Sequence, residues 1–238
     1  MTNFRETMAG KQAFKTMHQF DHAPVTVDEL TSYERNGKRY YTVPAVESDW
    51  SHTYKSVTTI ISEKSDKSWI ADWHARVGEK EANAIVEQAK RRGTAIHDMA
   101  EKLLKNDPDY WKGHGAINIA DFNRIIPLLQ KNITHIYGQE LALYSHTLKT
   151  AGRTDVACWW NNYPAIVDFK TARKTKLKEQ ITDYFVQSTC YAMMFQERYN
   201  IYMDKIVVII LVDNEDEPVV YEDNVYPKWS EKAVQIFT

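Results

Sequence analysis

The sequence predicts an α/β fold in which a mixed β-sheet is flanked by helices. Three strand-like segments follow one another with short connections, namely Gln139–Ser145, Gly152–Trp160 and Tyr163–Thr171. A helical segment, Lys178–Tyr199, then separates them from a fourth strand-like segment, Ile206–Val212. Strands joined by short turns pair antiparallel, whereas a helical crossover joins parallel strands, so the sheet is expected to be mixed.

The composition is that of a globular protein without a strong global charge. Of the 238 residues, 43% are hydrophobic and 26% are charged, and the formal net charge is −2. This balance gives no overall attraction to polyanions, so any contact with nucleic acid must come from local patches. We expect residues 1–25 to form a flexible N-terminus and residues 26–238 to form a single domain. Within that domain, 26–78 is a hairpin and helical extension and 79–238 is the core.

Cysteine usage and hydropathy indicate a reducing compartment. Cys158 and Cys190 lack the spacing of a zinc, iron–sulfur or redox pair and are too few for a disulfide framework. The longest apolar run, Ile206–Val212, is too short to span a bilayer and is typical of a buried strand. The N-terminal segment lacks the apolar core of a signal peptide, although a weak organelle-targeting helix is an alternative to a flexible terminus there.

The N-terminal extension carries hairpin and helix signals. Asn36-Gly37 stands between aromatic and β-branched residues, which predicts a tight hairpin. Residues 54–62 are rich in β-branched side chains and are predicted to form a further strand. Ser65 or Asp66 is expected to begin a helix that covers 67–78.

The apolar spacing takes a helical period over Glu79–Lys105. The apolar stripe of this helix consists of Ile85, Ala89, Ile96, Met99, Ala100, Leu103 and Leu104. Gly93 interrupts the stripe at a cost of about 1 kcal/mol relative to alanine, which predicts a helix break or the close approach of another segment. A second helix is expected over Ile119–Tyr137.

Two acids and a lysine stand in strand-like sequence, where apolar side chains are the rule. Asn161-Asn162 can form a two-residue turn with both φ angles positive, and this turn fixes the pairing of the strands on either side. Continuing that register places Asp155 directly opposite Asp168. Directly opposed residues have Cβ atoms roughly 4.5–5.5 Å apart, and like charges there are destabilising.

The repulsion between two opposed acids must be offset. A shared proton, a nearby cation or a divalent metal ion would each do so, and the metal ion would do it best. Strand alternation places Lys170 on the same face as Asp168, so three charged groups are expected to converge. The alternative is a solvated outer face on which an aspartate and the lysine form an ordinary cross-strand pair.

Three further features favour a binding site, and each has a simpler alternative. His97 lies at the edge of the helical stripe, where a half-buried imidazole could complete a metal site or merely mark the core boundary. Gln187 and Tyr191 share one helix face at i, i+4 and could bind a ligand or support the core. A basic run after the acids could contact phosphate groups or form a solvated face; it contains Lys170, Arg173, Lys174, Lys176 and Lys178.

The order of these elements resembles the RecB-like branch of the PD-(D/E)XK nucleases. A histidine in a helix is followed by GxxD at Gly152–Asp155, DxK at Asp168–Lys170 and QxxxY at Gln187–Tyr191. The chain is also similar to the mitochondrial genome maintenance exonucleases and their bacteriophage relatives over roughly residues 35–195. The resemblance implies a PD-(D/E)XK restriction-endonuclease-like core, a central mixed sheet flanked by helices, with an N-terminal β-hairpin and helical extension.

The resemblance also implies a chemistry, the hydrolysis of DNA phosphodiesters with Mg²⁺ or Mn²⁺, preferentially at single-stranded ends. The implied metal ligands are His97, Asp155, Asp168 and the backbone carbonyl of Phe169, with Glu140 as an auxiliary ligand. Lys170 becomes the catalytic lysine. It is expected to orient the attacking water or stabilise charge rather than act as a base, because two neighbouring carboxylates oppose its deprotonation. No iron–sulfur cluster is expected, because that cluster takes four cysteines.

The implied partner is single-stranded DNA, without a membrane. Gln187 and Tyr191 would brace the site and contact the DNA. Further expected contacts are Arg92, Thr171, Arg173 and Lys174, with Trp69 and Trp73 as stacking platforms. Ordinary packing is the alternative for the two tryptophans and for Arg92. The expected location is the cytoplasm of a bacterial or phage-infected cell, with a mitochondrion as the alternative.

Three other functions are compatible with the same residues. An endonuclease or a double-strand recombination exonuclease would use the same fold. A catalytically silent DNA-binding protein would use the basic groove, although a binder has no need of opposed acids. A small-molecule metal hydrolase on an unrelated fold would leave the basic run and the Gln187–Tyr191 pair without a role.

Overall fold

The computed structural model describes residues 18–45 and 51–238, over which the chain forms nine strands and seven α-helices. The strands are β1 (Asp21–His22), β2 (Thr31–Arg35), β3 (Lys38–Pro44), β4 (Ser51–Ser56), β5 (Ile133–Ser145), β6 (Thr150–Trp160), β7 (Tyr163–Ala172), β8 (Lys205–Val212) and β9 (Val219–Asn224). The helices are α1 (Val57–Lys64), α2 (Ser68–Val77), α3 (Glu79–Leu104), α4 (Ala116–Asn123), α5 (Ile126–Asn132), α6 (Thr182–Tyr199) and α7 (Lys228–Phe237). A short 3-10 helix at Lys178–Ile181 precedes α6.

The strands form one mixed sheet. Seven of them run in the order β2-β3-β4-β6-β7-β8-β9, and β5 pairs with the other edge of β6 and carries β1 on its far side. β5, β6 and β7 are antiparallel neighbours, whereas α6 connects β7 to the parallel strand β8. The predicted mixed sheet with a helical crossover is therefore confirmed.

Helices cover both faces of this sheet. α1, α6 and α7 pack on one face around Phe185 and Trp229. α3, α4 and α5 pack on the other face around Phe122 and Leu129. β8 contributes to both clusters because successive strand residues point to opposite faces, and Ile206–Val212 is buried throughout, as predicted. No helix of the described residues has the length and apolar composition needed to cross a bilayer.

Both predicted asparagine turns are present. Asn36 and Gly37 have φ angles of 52° and 70°, and Asn161 and Asn162 have φ angles of 49° and 67°. Asparagine and glycine tolerate this left-handed region better than other residues, and such turns match the twist of the strands that they connect. These two turns determine the register of the β2–β3 and β6–β7 hairpins.

Two N-terminal predictions are wrong in part. Residues 54–62 were expected to be a strand, but β4 ends at Ser56 and α1 follows. The Ser56 side chain accepts a hydrogen bond from the Thr59 backbone N–H, so an N-cap overrides the β-branched composition. In the part of the predicted flexible terminus that is described, Phe20 is buried and β1 pairs with β5. The rest of that terminus, residues 1–17, lies outside the described residues.

The helix expected over Ile119–Tyr137 is wrong in its second half. α4 and α5 are separate helices, and β5 begins at Ile133. Pro127 lies in the first turn of α5, where its missing N–H is tolerated, but it does not fit the interior of one long helix. Ile133 and Thr134 are β-branched and favour a strand.

The break expected at Gly93 is absent. α3 continues through this residue, and a Cβ atom placed there would meet nothing within 4 Å. Neither a kink nor a close approach therefore explains the glycine. The last part of the apolar stripe, around Met99 and Leu104, is fully buried, whereas Ala89 in the middle of α3 is exposed. The sequence prediction did not extend to β9 and α7.

Candidate metal centre

The site lies along one edge of β6, which pairs with β4 near its start and with β7 near its end. On that edge β4 pairs with Thr150 and Ala151, and β7 pairs with residues from Val156 to Trp160. Residues 152–155 lie between these two ladders. On this edge they have no partner strand among the described residues and border a gap in the sheet, while β5 pairs with the other edge. Asp155 is the last residue beside the gap.

The predicted pairing of Asp155 with Asp168 is wrong, although the predicted register is right. β6 and β7 pair as expected from the turn as far as Val156 and Val167, and the ladder ends there. In place of the next ladder pair, the Phe169 backbone N–H donates a hydrogen bond of 2.7 Å to Asp155 Oδ2. The carboxylate of Asp155 thus occupies the point at which the two strands separate.

Glu140 is the acid that faces Asp155. The pairs on either side, Gln139 with Val156 and Leu141 with Thr154, keep one register, which places Glu140 opposite Asp155 on the β5 edge of β6. The φ angle of Glu140 is 48°, a conformation that is costly for a residue other than glycine and is common at functional sites.

His97 projects from α3 towards both of these acids. Its Nδ1 atom lies 3.3 Å from Asp155 Oδ1 and 3.9 Å from Glu140 Oε1. Its Nε2 atom lies 2.9 Å from the Phe169 carbonyl oxygen. Because a carbonyl can only accept, Nε2–H is the donor, and Nδ1 faces the carboxylates. A backbone carbonyl that orients a histidine in this way is typical of metal-binding histidines.

His97, Glu140 and Asp155 can together hold a metal ion. One ligand atom of each residue lies within 4.8 Å of the other two. Imidazole nitrogen and carboxylate oxygen are both common ligands of divalent ions. Glu140, expected from the sequence only as an auxiliary ligand, belongs to this group, whereas Asp168 does not.

Asp168 is held by two other side chains. Its carboxylate is buried, with Oδ1 accepting a hydrogen bond of 3.0 Å from Gln187 Nε2. Oδ2 forms an ion pair with the Lys170 ammonium group but accepts no hydrogen bond of ordinary geometry from the described residues. The expected convergence of Asp168 and Lys170 on one face is therefore present. A role of Asp168 as a metal ligand stays a prediction.

The charges of the site are strongly coupled. Burial disfavours a charged imidazole, but Asp155, Glu140 and Asp168 outweigh burial and raise the pKa of His97 to about 10. Burial, reinforced by the neighbouring Asp155, raises the pKa of Asp168 to about 6 despite the nearby Lys170. Burial also opposes the charge of Lys170, yet Asp168 and Asp155 together raise its pKa above the ordinary value. Lys170 therefore carries its proton at neutral pH.

Tyr191 and Gly152 are in close contact at the wall of the site. Tyr191 is buried, and a Cβ atom on Gly152 would lie 2.8 Å from Tyr191 Cε1 and 2.9 Å from its hydroxyl oxygen. Only glycine allows this approach without a shift of the ring. Gln187, one helical turn earlier, contacts Asp168, so α6 contributes two side chains next to the acids.

A cavity of about 600 Å³ opens above the metal-binding group. The group itself lines it together with Lys170, Gln187 and Tyr191. The remaining wall comes from the N-terminal hairpin region and from β6; it contains Ser32, Arg39, Tyr41, Ser56, Thr58, Gly152 and Arg153. Ser32, Arg39 and Arg153 were not expected at this site from the sequence. Alternation along β6 could have indicated Arg153, whereas the other two depend on tertiary packing.

The other predicted DNA contacts do not line this cavity. Arg92 donates to Asp121 at 3.0 Å and to the Leu211 carbonyl at 3.4 Å and forms an ion pair with Asp213, so its guanidinium is occupied by the fold. Thr171 and Arg173 line a smaller cavity of about 250 Å³ together with Arg92.

The predicted stacking residues lie on α2. Trp69 is 59% exposed, and its ring centroid lies 6.4 Å from that of Trp73. Lys174 is exposed in the loop after β7. These positions are accessible to a ligand, but their contact with DNA stays a prediction.

Comparisons with known proteins add little to this picture. No protein-family model matches the chain, and no curated protein matches it. A solved structure named as the crystal structure of SSO0001 is 15% identical, with a TM-score of 0.32 over 60% of this chain and 70% of that chain. A TM-score this low supports no inference about a shared fold or function.

Proposed function

We propose that this chain is a metal-dependent deoxyribonuclease of the PD-(D/E)XK type that hydrolyses DNA from single-stranded ends. The observation that carries the proposal is the grouping of His97, Glu140 and Asp155 in one cavity with the protonated Lys170. Two acids opposed across a ladder weaken a fold unless a cation lies between them. The half-buried ammonium group of Lys170 next to them supplies positive charge for a phosphate-containing substrate.

The donor set fits Mg²⁺ or Mn²⁺. Mg²⁺ is held in proteins by one or two carboxylates and takes further ligands from water and substrate phosphate, and Mn²⁺ also accepts imidazole nitrogen. His97 Nδ1, Glu140 and Asp155 would hold the ion. Asp168 Oδ2, which is buried and accepts no ordinary hydrogen bond, is a further proposed ligand. Such an ion lowers the pKa of a coordinated water and neutralises charge on the phosphate.

Lys170 would act through its charge. Its ammonium group is held by Asp168, and the raised pKa of Lys170 makes proton abstraction unfavourable at neutral pH. A fixed positive charge next to the scissile phosphate stabilises the negative charge that develops in the transition state. The group can also donate a hydrogen bond that orients the attacking water.

The residues of α6 would hold this arrangement in place. Gln187 fixes the Asp168 carboxylate, and the Tyr191 ring packs against the Gly152 backbone next to Asp155. The proposed contacts with a single strand outside the cavity are the exposed Arg173 and Lys174, with Trp69 as a stacking surface. Phe169 contributes its carbonyl to the orientation of His97, and we keep it as a proposed ligand through its second lone pair.

The decisive experiment measures digestion of end-labelled DNA. Linear single strands, duplexes and single-stranded circles are incubated with the protein in Mg²⁺, in Mn²⁺ and in EDTA. We expect linear single strands to be shortened only with metal, and Asp155→Asn to lose this activity. Glu231→Gln, which removes an exposed acid on α7, is the matched control and should digest DNA as the wild type does. Cutting of circles would indicate an endonuclease, and binding without any cutting would indicate a silent DNA-binding protein.

A further inference from the structure

The strand β6 carries a second charged side chain at the metal-binding group. Arg153 precedes Asp155 by two residues, and residues i and i+2 of a strand point to the same face. Both residues line the cavity of about 600 Å³. Arg153 is therefore directed to the same space as the acids, from the part of β6 that faces the gap between β4 and β7.

The guanidinium group of Arg153 is not used by the fold. The residue is exposed, and although its backbone pairs with Ala142 of β5, its guanidinium group forms no hydrogen bond or ion pair with any of the described residues. Arg92 differs in this respect, since two aspartates and a carbonyl occupy its guanidinium. The two carboxylates of the cavity attract the guanidinium group but do not bind it, so its donors stay available to a ligand with negative charge.

A second arginine reaches the cavity from the hairpin. Arg39 on β3 lines the same space, and its partner on β2 is Glu34 at 3.4 Å. Both side chains of this pair are more than half exposed, so the pair is weak and can open when a stronger anion arrives. The cavity thus combines a group of residues that can hold a cation with two arginines that lie outside that group.

A metal-binding group with separate arginines beside it is suited to a substrate that carries more than one phosphate. A nucleic-acid strand places further phosphates on either side of any phosphate at the metal group. Guanidinium groups bind phosphate through paired hydrogen bonds, which makes arginine well suited to that position. We infer that Arg153 binds the phosphate next to the one that is hydrolysed and that Arg39 assists it from the hairpin. The inference rests on the proposed function and identifies the substrate as a polynucleotide strand.

Steady-state kinetics and binding test this inference. Arg153→Gln is expected to raise KM for a single-stranded oligonucleotide about tenfold while kcat changes less than about twofold, since the lost contact is made in both ground and transition states. Binding is measured in Mg²⁺ with the Lys170→Ala protein, which prevents digestion. There, adding Arg153→Gln should reduce the slope of log affinity against log salt by about 0.7, the value for one phosphate contact on a single strand.

Two further variants separate a phosphate contact from a structural effect. Arg153→Lys keeps the charge and should keep the salt slope, but should lose part of the affinity because it cannot form paired hydrogen bonds. Lys131→Gln removes an exposed charge from α5, next to the opposite end of β6, and should leave both KM and the slope unchanged. Circular dichroism checks that every variant is folded.

The outcomes distinguish this inference from the proposed function. If the wild type digests DNA but Arg153→Gln behaves like Lys131→Gln, the inference is overturned and the nuclease proposal stands. If no metal supports digestion but Arg153→Gln still reduces the salt slope, the nuclease proposal fails and Arg153 is retained as a phosphate-binding residue. If the protein does not bind single-stranded oligonucleotides at all, both are overturned.

Discussion

Glu140 lies opposite Asp155 across the β5–β6 ladder, with the imidazole of His97 next to both carboxylates. The histidine nitrogen is 3.9 Å from Glu140 and 3.3 Å from Asp155. The ring can offset the repulsion while it is protonated, and a divalent ion can take over that task when it binds. The pair of acids therefore links metal binding to the stability and protonation of the site.

Metal binding is expected to stabilise the fold through Glu140 and Asp155. A ligand at about 100 times its dissociation constant contributes about 2.7 kcal/mol, which corresponds to roughly 5–10 °C in Tm for a chain of this size. Thermal unfolding with and without Mn²⁺ measures the shift. Glu140→Gln should reduce it and Asp155→Asn should abolish it, whereas Glu231→Gln should keep it. If Mn²⁺ raised Tm equally in the wild type and in all three variants, the ion would bind elsewhere.

Metal binding is also expected to release a proton from His97. In the metal-free protein the pKa of His97 is about 10, so the ring is charged at pH 7, while a metal ligand must be neutral. Calorimetric titration of Mn²⁺ at pH 7 in two buffers of different ionisation enthalpy should give about one proton per ion. In His97→Gln, the number of protons released per bound ion should fall towards zero. Equal heats in both buffers for the wild type would contradict the assignment.

The same pKa shift predicts how the stability of the metal-free protein depends on pH. The folded pKa of about 10 lies above that of free imidazole, which is about 6.5. His97 therefore contributes its full stabilisation below pH about 6.5 and loses it as the pH rises through about 10. Urea unfolding between pH 6 and 10 in EDTA should show a smaller decline for His97→Gln than for the wild type.

Lys170→Ala is expected to abolish cleavage while DNA binding is largely retained. Loss of a charge that stabilises the transition state reduces kcat on the order of 10²–10³-fold. The substitution also leaves the buried Asp168 without its ion-pair partner, which costs about 3–5 kcal/mol if the carboxylate stays ionised. Activity and urea unfolding are therefore measured together. Cleavage at the wild-type rate would remove Lys170 from the mechanism.

Gly152→Ala is expected to disturb the site through Tyr191. The new Cβ atom would lie 2.8 Å from the Tyr191 ring, and overpacking of this kind costs about 1–3 kcal/mol. Gly93→Ala is the matched control, because this helical position has free space and should gain about 0.5–1 kcal/mol. Chemical denaturation gives both values. A stable Gly152→Ala protein with normal activity would show that the contact with Tyr191 is dispensable.

Arg92→Gln tests whether this residue serves the fold or the DNA. The guanidinium group is mostly buried and pairs with the partly exposed Asp121 and Asp213, so its loss should cost about 1–3 kcal/mol of unfolding free energy. The salt dependence of DNA binding should stay unchanged in the folded fraction. A stable variant with a reduced salt slope would instead support the contact with DNA that the sequence suggested.

Local sequence patterns are sufficient to predict the features that depend on neighbouring residues. The positive φ angles of Asn161 and Asn162 specify a two-residue turn, and that turn specifies the register of β6 and β7. Strand alternation then places Lys170 next to Asp168. The apolar period of α3 brings His97 to the edge of the core. Each of these results needs only local backbone preferences and the periods of helix and strand.

The choice of the acids that lie next to His97 depends on how distant segments pack in the sheet. β6 shares one edge between β4 and β7, so the ladder ends one residue before the predicted pair of Asp155 and Asp168. Glu140 takes the opposing place because the register of β5 and β6 puts it there, and its positive φ angle is a conformation that no local pattern specifies. A ladder ends where distant segments compete for the same strand edge, and the packing of the whole sheet determines which segment pairs there.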